Sequence, residues 1–170
     1  MAESPFTRSF KNALGQEVRT YLSNRATLEV GIDTKPFPEW EGRPDVWIRR
    51  NGGRGVNHVV AIEIEHTSND DQTIANIAQA YGWPDGRRGV RTALVHLLHT
   101  NAKLSRDVLE MIDGFRQDLA SSKFQYSALT YDAPDLRASV QAGKDIGQGR
   151  PFRTALLGAL RFTGLLEGSG

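Results

Sequence analysis

Apolar residues recur every three to four positions from Pro5 to Asn24. Phe6, Phe10, Leu14, Val18, Tyr21 and Leu22 fall on one side and charge lies elsewhere, which predicts an amphipathic first helix. The period then shortens: Leu28, Val30 and Ile32 alternate with Glu29 and Gly31, a strand-like spacing. Pro36 and Pro38 end it, because proline cannot donate to a ladder. Residues 45–50 and 58–67 predict two further strands, joined as a hairpin by the turn Asn51-Gly52-Gly53-Arg54-Gly55. Helical spacing returns with Ile74, Ile77, Ala78 and Tyr81 and stops at Gly82-Trp83-Pro84. The apolar run 92–99 predicts a central strand covered on both faces. A helix over 104–120 and a strand over 124–131 follow, then a short helix over 136–141, a glycine-rich loop over 143–149 and a helix over 151–166. The order predicts one α/β domain, a mixed central sheet flanked by helices, with a core over 5–131 and a helical C-terminal extension over 132–170.

Composition narrows the chemistry. The chain has 170 residues, 39% hydrophobic and 24% charged, enough for one domain with a real core. The absence of cysteine excludes disulfides, cysteine nucleophiles and thiolate zinc, so any metal must be held by oxygen or imidazole. No apolar run approaches membrane-spanning length and the N-terminus lacks a secretory pattern, so the expectation is a cytoplasmic protein with no membrane partner. A net charge of +1 gives no global argument for a polyanionic partner. Arginines nevertheless cluster locally, with Arg43, Arg49, Arg50 and Arg54 around the second predicted strand. Such a cluster can grip phosphates or simply be solvated.

Three carboxylates interrupt the two hairpin strands. Asp45 opens the first, and Glu63 and Glu65 lie on one face of the second, roughly 6 to 7 Å apart along the strand. A cross-strand neighbour sits about 5 Å away, so the three converge if the register allows. The bland alternative is a solvated face alternating with Val60, Ile62 and Ile64. Against it, Val59 and Ala61 share the acidic face and are apolar. Clustered anions are unfavourable without a cation, and a hard divalent metal reverses that. Glu17 is a fourth acid, on the inward side of the first helix, where a salt bridge to an arginine is the competing explanation. Gln79 is placed to face the site, and Tyr81 to lie in the core. His96 and His99, three apart in a strand, are expected on opposite faces. No zinc-hydrolase helix, serine elbow or P-loop is present.

Pro44-Asp45, seventeen intervening residues and Glu63-Ile64-Glu65 resemble the motif of the PD-(D/E)XK nuclease superfamily. The order of elements through His99 agrees with that restriction endonuclease-like fold. The resemblance implies a nuclease acting on nucleic acid, DNA rather than RNA, with Mg2+ or Mn2+ on Asp45 and Glu63, joined by Glu17 from the first helix. A homodimer is the assembly implied if both strands of a duplex are cut. The sequence departs from the family in carrying Glu65 where lysine is usual. Restriction endonucleases with glutamate there imply that Glu65 orients or deprotonates the attacking water. A lysine supplied from elsewhere, such as Lys35, is one alternative. Another is a nuclease-like domain that no longer cleaves and binds nucleic acid or protein.

Overall fold

Ser4 accepts the Thr7 amide hydrogen at 3.1 Å and Pro5 opens the first turn, so α1 (Pro5–Tyr21) begins where the cap and the fixed proline φ place it. The computed structural model describes residues 4–52, 56–66, 69–100, 104–118, 122–132 and 136–166. Among these residues five strands follow the first helix in chain order: β1 (Leu28–Ile32), β2 (Val46–Arg50), β3 (Val59–Glu65), β4 (Thr92–His99) and β5 (Phe124–Tyr131). The other helices are α2 (Asp70–Gly82), α3 (Arg106–Asp118), α4 (Leu136–Gln148) and α5 (Arg150–Phe162).

The strands lie in the sheet in sequence order. β1, β2 and β3 pair antiparallel, and β4 and β5 continue parallel to β3, reached by α2 and α3 as crossovers. The α/β class with a mixed, helix-flanked sheet is therefore observed, as is the β2–β3 hairpin. Alternate side chains of the central strands feed two cores. Val60, Ile62, Ile64, Val95 and Leu97 pack with Phe10, Leu14, Leu156 and Leu160 of α1 and α5. Val59, Ala61, Leu94 and Leu98 pack with Ile77, Ala80, Val108 and Ile112 of α2 and α3. Every residue of β4 is buried, as its apolar run predicts. Among the described residues no helix is long and apolar enough to cross a membrane.

Two elements differ from the sequence expectation. The glycine-rich loop over 143–149 is instead the second half of α4. Both glycines face α1: a Cβ at Gly143 would stand 2.8 Å from the Phe10 carbonyl oxygen, and one at Gly147 would stand 2.6 Å from Cβ of Glu17. Glycine lowers helix propensity by about 1 kcal/mol, and here the close helix approach it permits offsets that loss. Gly143→Ala is accordingly expected to destabilise the fold by about 1–3 kcal/mol through overpacking, seen as a lower urea midpoint. The second difference is the buried stripe of α2, which is Thr73, Ile77 and Ala80, leaving Ile74 and Tyr81 exposed. Tyr81 covers the Phe124 ring edge-on at 5.4 Å and is not a core residue. Periodicity alone placed the stripe one residue off, because Thr73 is buried despite its hydroxyl.

Candidate active site

Antiparallel pairing sets the start of β2 beside the end of β3, with Val46 opposite Ile62. Asp45 therefore stands next to Glu63 at the carboxyl ends of the three parallel strands, the end of an open α/β sheet where ligands bind. Asp45 Oδ2 accepts the Ile64 backbone N–H at 2.7 Å, so the carboxylate itself bridges the two strands. Glu63 is only 7% exposed and Glu65 only 1%, which excludes the solvated strand face. Burial first, then the neighbouring Asp45 and Glu65 carboxylates, push the Glu63 carboxyl well above its usual 4.5.

That shift has a consequence for stability. A carboxyl whose pKa is raised on folding binds its proton more tightly in the native state, so its contribution is full below 4.5 and lost as pH rises through the folded value. In chelator, the melting temperature is expected to fall with rising pH above that point, and Glu63→Gln is expected to flatten the slope.

The compensating cation is one the sequence reading did not single out. Lys11 of α1 is 3% exposed, with Nζ 3.6 Å from Asp45 Oδ1 and 3.5 Å from Asp33 Oδ2. Asp33 reaches it from a left-handed backbone, φ 51°, at the end of β1, where its N–H bonds the Asp45 carbonyl. The signal was present: Lys11 lies among Phe10, Leu14 and Val18 on the apolar side of the first helix, where a solvated lysine does not belong. Lys35, the lysine considered from the sequence, is exposed in the β1–β2 loop.

Glu65 is held by hydrogen bonds from a helix neighbour and a strand neighbour. Its Oε1 lies 2.8 Å from both Asn76 Nδ2 and His96 Nε2, and His96 Nδ1 lies 2.9 Å from the Tyr126 hydroxyl. A carboxylate only accepts, so Asn76 and His96 both donate to it. This largely buried chain holds the end of β3 and keeps a second acid close to Glu63. His66, His99 and Tyr131 take the other face, in register across β3, β4 and β5, with ring centroids 4.2 and 5.0 Å apart. His96 and His99 are thus on opposite faces, as strand parity predicts. Phe6 stacks on His66 at 3.7 Å. Burial, followed by Asp45 and Glu65, raises the Tyr131 phenol, so this ring senses the acid cluster from β5.

Other expected residues are not brought here. Glu17 turns to α4, where it accepts from Gln148 Nε2 at 3.2 Å. The cause is position: two turns beyond Lys11, α1 has left the strand ends and runs along α4. Gln79 packs its amide against Gly42 in the loop before Asp45. Arg49 and Arg50 lie at the far end of β2, roughly 13 to 17 Å along the strand from Asp45. Arg49 bonds Glu29 and the Pro36 carbonyl and stacks on Phe37 and Trp47, and Arg50 bonds the Gly164 carbonyl. They fasten loops and do not face the site. Arg43, two residues before Asp45, is exposed beside it. Arg54 lies outside the described residues.

Among the described residues no three of His, Asp and Glu converge closely enough to form a metal-binding group by themselves. Asp45 and Glu63 remain as a pair of hard oxygen donors. Magnesium is commonly held by one or two carboxylates together with substrate phosphates, and a two-carboxylate site fits that habit. Compared with family models, curated proteins and solved structures, the chain matches none.

Proposed function

We propose that this chain is a metal-dependent nuclease of the restriction endonuclease-like kind, hydrolysing phosphodiester bonds, with DNA as its substrate and Mg2+ or Mn2+ as its cofactor. The observation that carries the reading is Glu63, a buried carboxyl crowded by two further acids at the ligand-binding end of the sheet. Burying such a cluster is unfavourable unless a cation completes it, and Lys11 supplies one positive charge against Asp33, Asp45 and Glu63. A divalent ion bound there would supply Lewis acidity toward a phosphoryl oxygen. Asp45 and Glu63 would hold it, Lys11 pairs with Asp45 and aims it, and the Asn76–Glu65–His96 chain fixes the strand that carries Glu63. Arg43 is the exposed cation placed to contact the substrate backbone near Asp45.

The test is incubation with supercoiled, linear and single-stranded DNA and with RNA, in Mg2+, Mn2+ or chelator. Metal-dependent cleavage lost in Glu63→Gln is expected. Undiminished cleavage in that variant would overturn the site. A second reading, a domain that binds nucleic acid or protein without cutting, is favoured by one observation: both Asp45 oxygens are already engaged, by Ile64 N–H and Lys11. Metal-independent DNA binding with no cleavage of any substrate would select it.

A further inference from the structure

Between the last turn of α2 and the loop that leads into Asp45 lies a cleft of about 250 Å³, walled by Trp40, Gln79, Trp83 and Arg87, with Glu39 and Glu41 also lining it. Two of its walls carry donors that nothing answers. Trp40 is 1% exposed and its indole Nε1–H meets no acceptor among the described residues, and neither does the buried Gln79 Nε2 amide. The other two tryptophans are satisfied: Trp47 Nε1 donates to Thr34, and Trp83 Nε1 to the Asn57 carbonyl. A buried N–H without an acceptor costs free energy, so two of them around one cleft call for a ligand that brings acceptors.

The other walls narrow its chemistry. Trp83 is stacked with Phe37 at 5.2 Å and carries the Arg87 guanidinium 3.9 Å from its ring, where a 2.8 Å bond to the Trp83 carbonyl pins it. A guanidinium held on an aromatic ring is a platform for a further planar group. Glu39 and Glu41, both exposed, outnumber that cation, so the cleft disfavours an anion and offers acceptors to N–H groups. Its volume is below the roughly 300 to 1,000 Å³ of sites for drug-sized molecules, room for one flat ring system. A neutral heteroaromatic ring with acceptors on one edge and N–H donors on another meets these conditions together. Among the nucleobases that is guanine, with O6 and N7 accepting and its 2-amino group donating.

We infer that this cleft takes one unstacked guanine from the strand whose phosphodiester lies at Asp45. From Glu41 to Asp45 the chain spans at most about 14 Å, so base and phosphodiester belong to one short stretch of strand. Gly42 turns the chain between them at φ 71°, with the Gln79 amide 3.1 Å from where a Cβ would stand. The inference rests on the nuclease reading for the strand that delivers the base, whereas the cleft and its donors do not depend on it.

The test follows the three indole N–H groups of the full chain by 1H–15N spectra, in chelator, during titration with the deoxynucleoside monophosphates and with inorganic phosphate. Deoxyguanosine monophosphate is expected to move the Trp40 signal and to leave that of Trp47, whose N–H is already bonded, in place. Gln79→Met keeps the length of the side chain and removes the amide, and should weaken this titration about tenfold. Glu41→Gln, at an exposed position, should cut the preference for guanine over adenine by a similar factor. A Trp40 signal that no monophosphate moves, as where water or the Gln79 amide oxygen already meets the indole, overturns the inference. So does an equal response to the adenine nucleotide or to inorganic phosphate. Binding of the guanine nucleotide by a chain that cuts no strand would uphold the cleft and overturn the nuclease reading, and cleavage with a silent Trp40 would do the reverse.

Discussion

Asp45→Asn is expected to lower metal-dependent cleavage about a thousandfold or more, equivalent to roughly 4 kcal/mol of transition-state stabilisation, while the protein stays folded. Asparagine keeps an oxygen that can accept the Ile64 N–H, now 2.7 Å from Oδ2, so the strap between β2 and β3 survives. What it removes is the charge that answers Lys11 and that would hold a divalent ion beside Glu63. The same change relieves Glu63 of one of the two acids pushing its pKa up. In the metal-free variant, Glu63 should therefore titrate closer to 4.5 than in the wild type, measurable by carboxyl NMR or infrared titration. Loss of cleavage together with that relaxation separates a charge effect from a collapsed site. Full activity in the variant would remove Asp45 from the machinery.

Lys11→Met is expected to cost about 3 kcal/mol of stability, at the lower end for breaking a buried pair because Asp33 is half exposed to water. Methionine preserves the length and apolar stem of the side chain, so the loss reports the charge and not a cavity. Glu63 is also deprived of its one stabilising cation among the causes of its shift, and its carboxyl should rise further. Cleavage should fall with it, and should stay low in Lys11→Arg even where that variant recovers stability. A guanidinium restores the charge without fitting the compact ammonium position between Asp33 and Asp45. Wild-type stability in Lys11→Met, measured by urea denaturation, would show that the lysine is incidental.

Much of this architecture was legible in the residues. The change from a period near four to a period of two marked α1 and β1, and the unbroken apolar run of β4 predicted a strand covered on both faces. Strand parity placed Glu63 with Glu65 and set His96 opposite His99. The failures have a common physical source, since partners arriving from distant elements leave little mark on local pattern. Gly143 and Gly147 read as a loop because nothing nearby in sequence says that α1 lies against them. Glu17 and Lys11 share one helix, and which of them reaches the strand ends depends on the angle at which α1 crosses the sheet. The motif position that singles out Glu65 likewise carries no information about Asn76 and His96, which hydrogen-bond to it. Arg49 and Arg50 were grouped with Arg43 by sequence proximity, although a strand carries its two ends far apart.

Asp45 and Glu63 are proposed to form a divalent-cation site. The direct measurement is anomalous scattering from crystals soaked in Mn2+. One strong peak is expected in contact with carboxylate oxygens of both Asp45 and Glu63, lost in Glu63→Gln. Crystals that take up manganese elsewhere, on His66 and His99 for example, and show no density between Asp45 and Glu63 would contradict it.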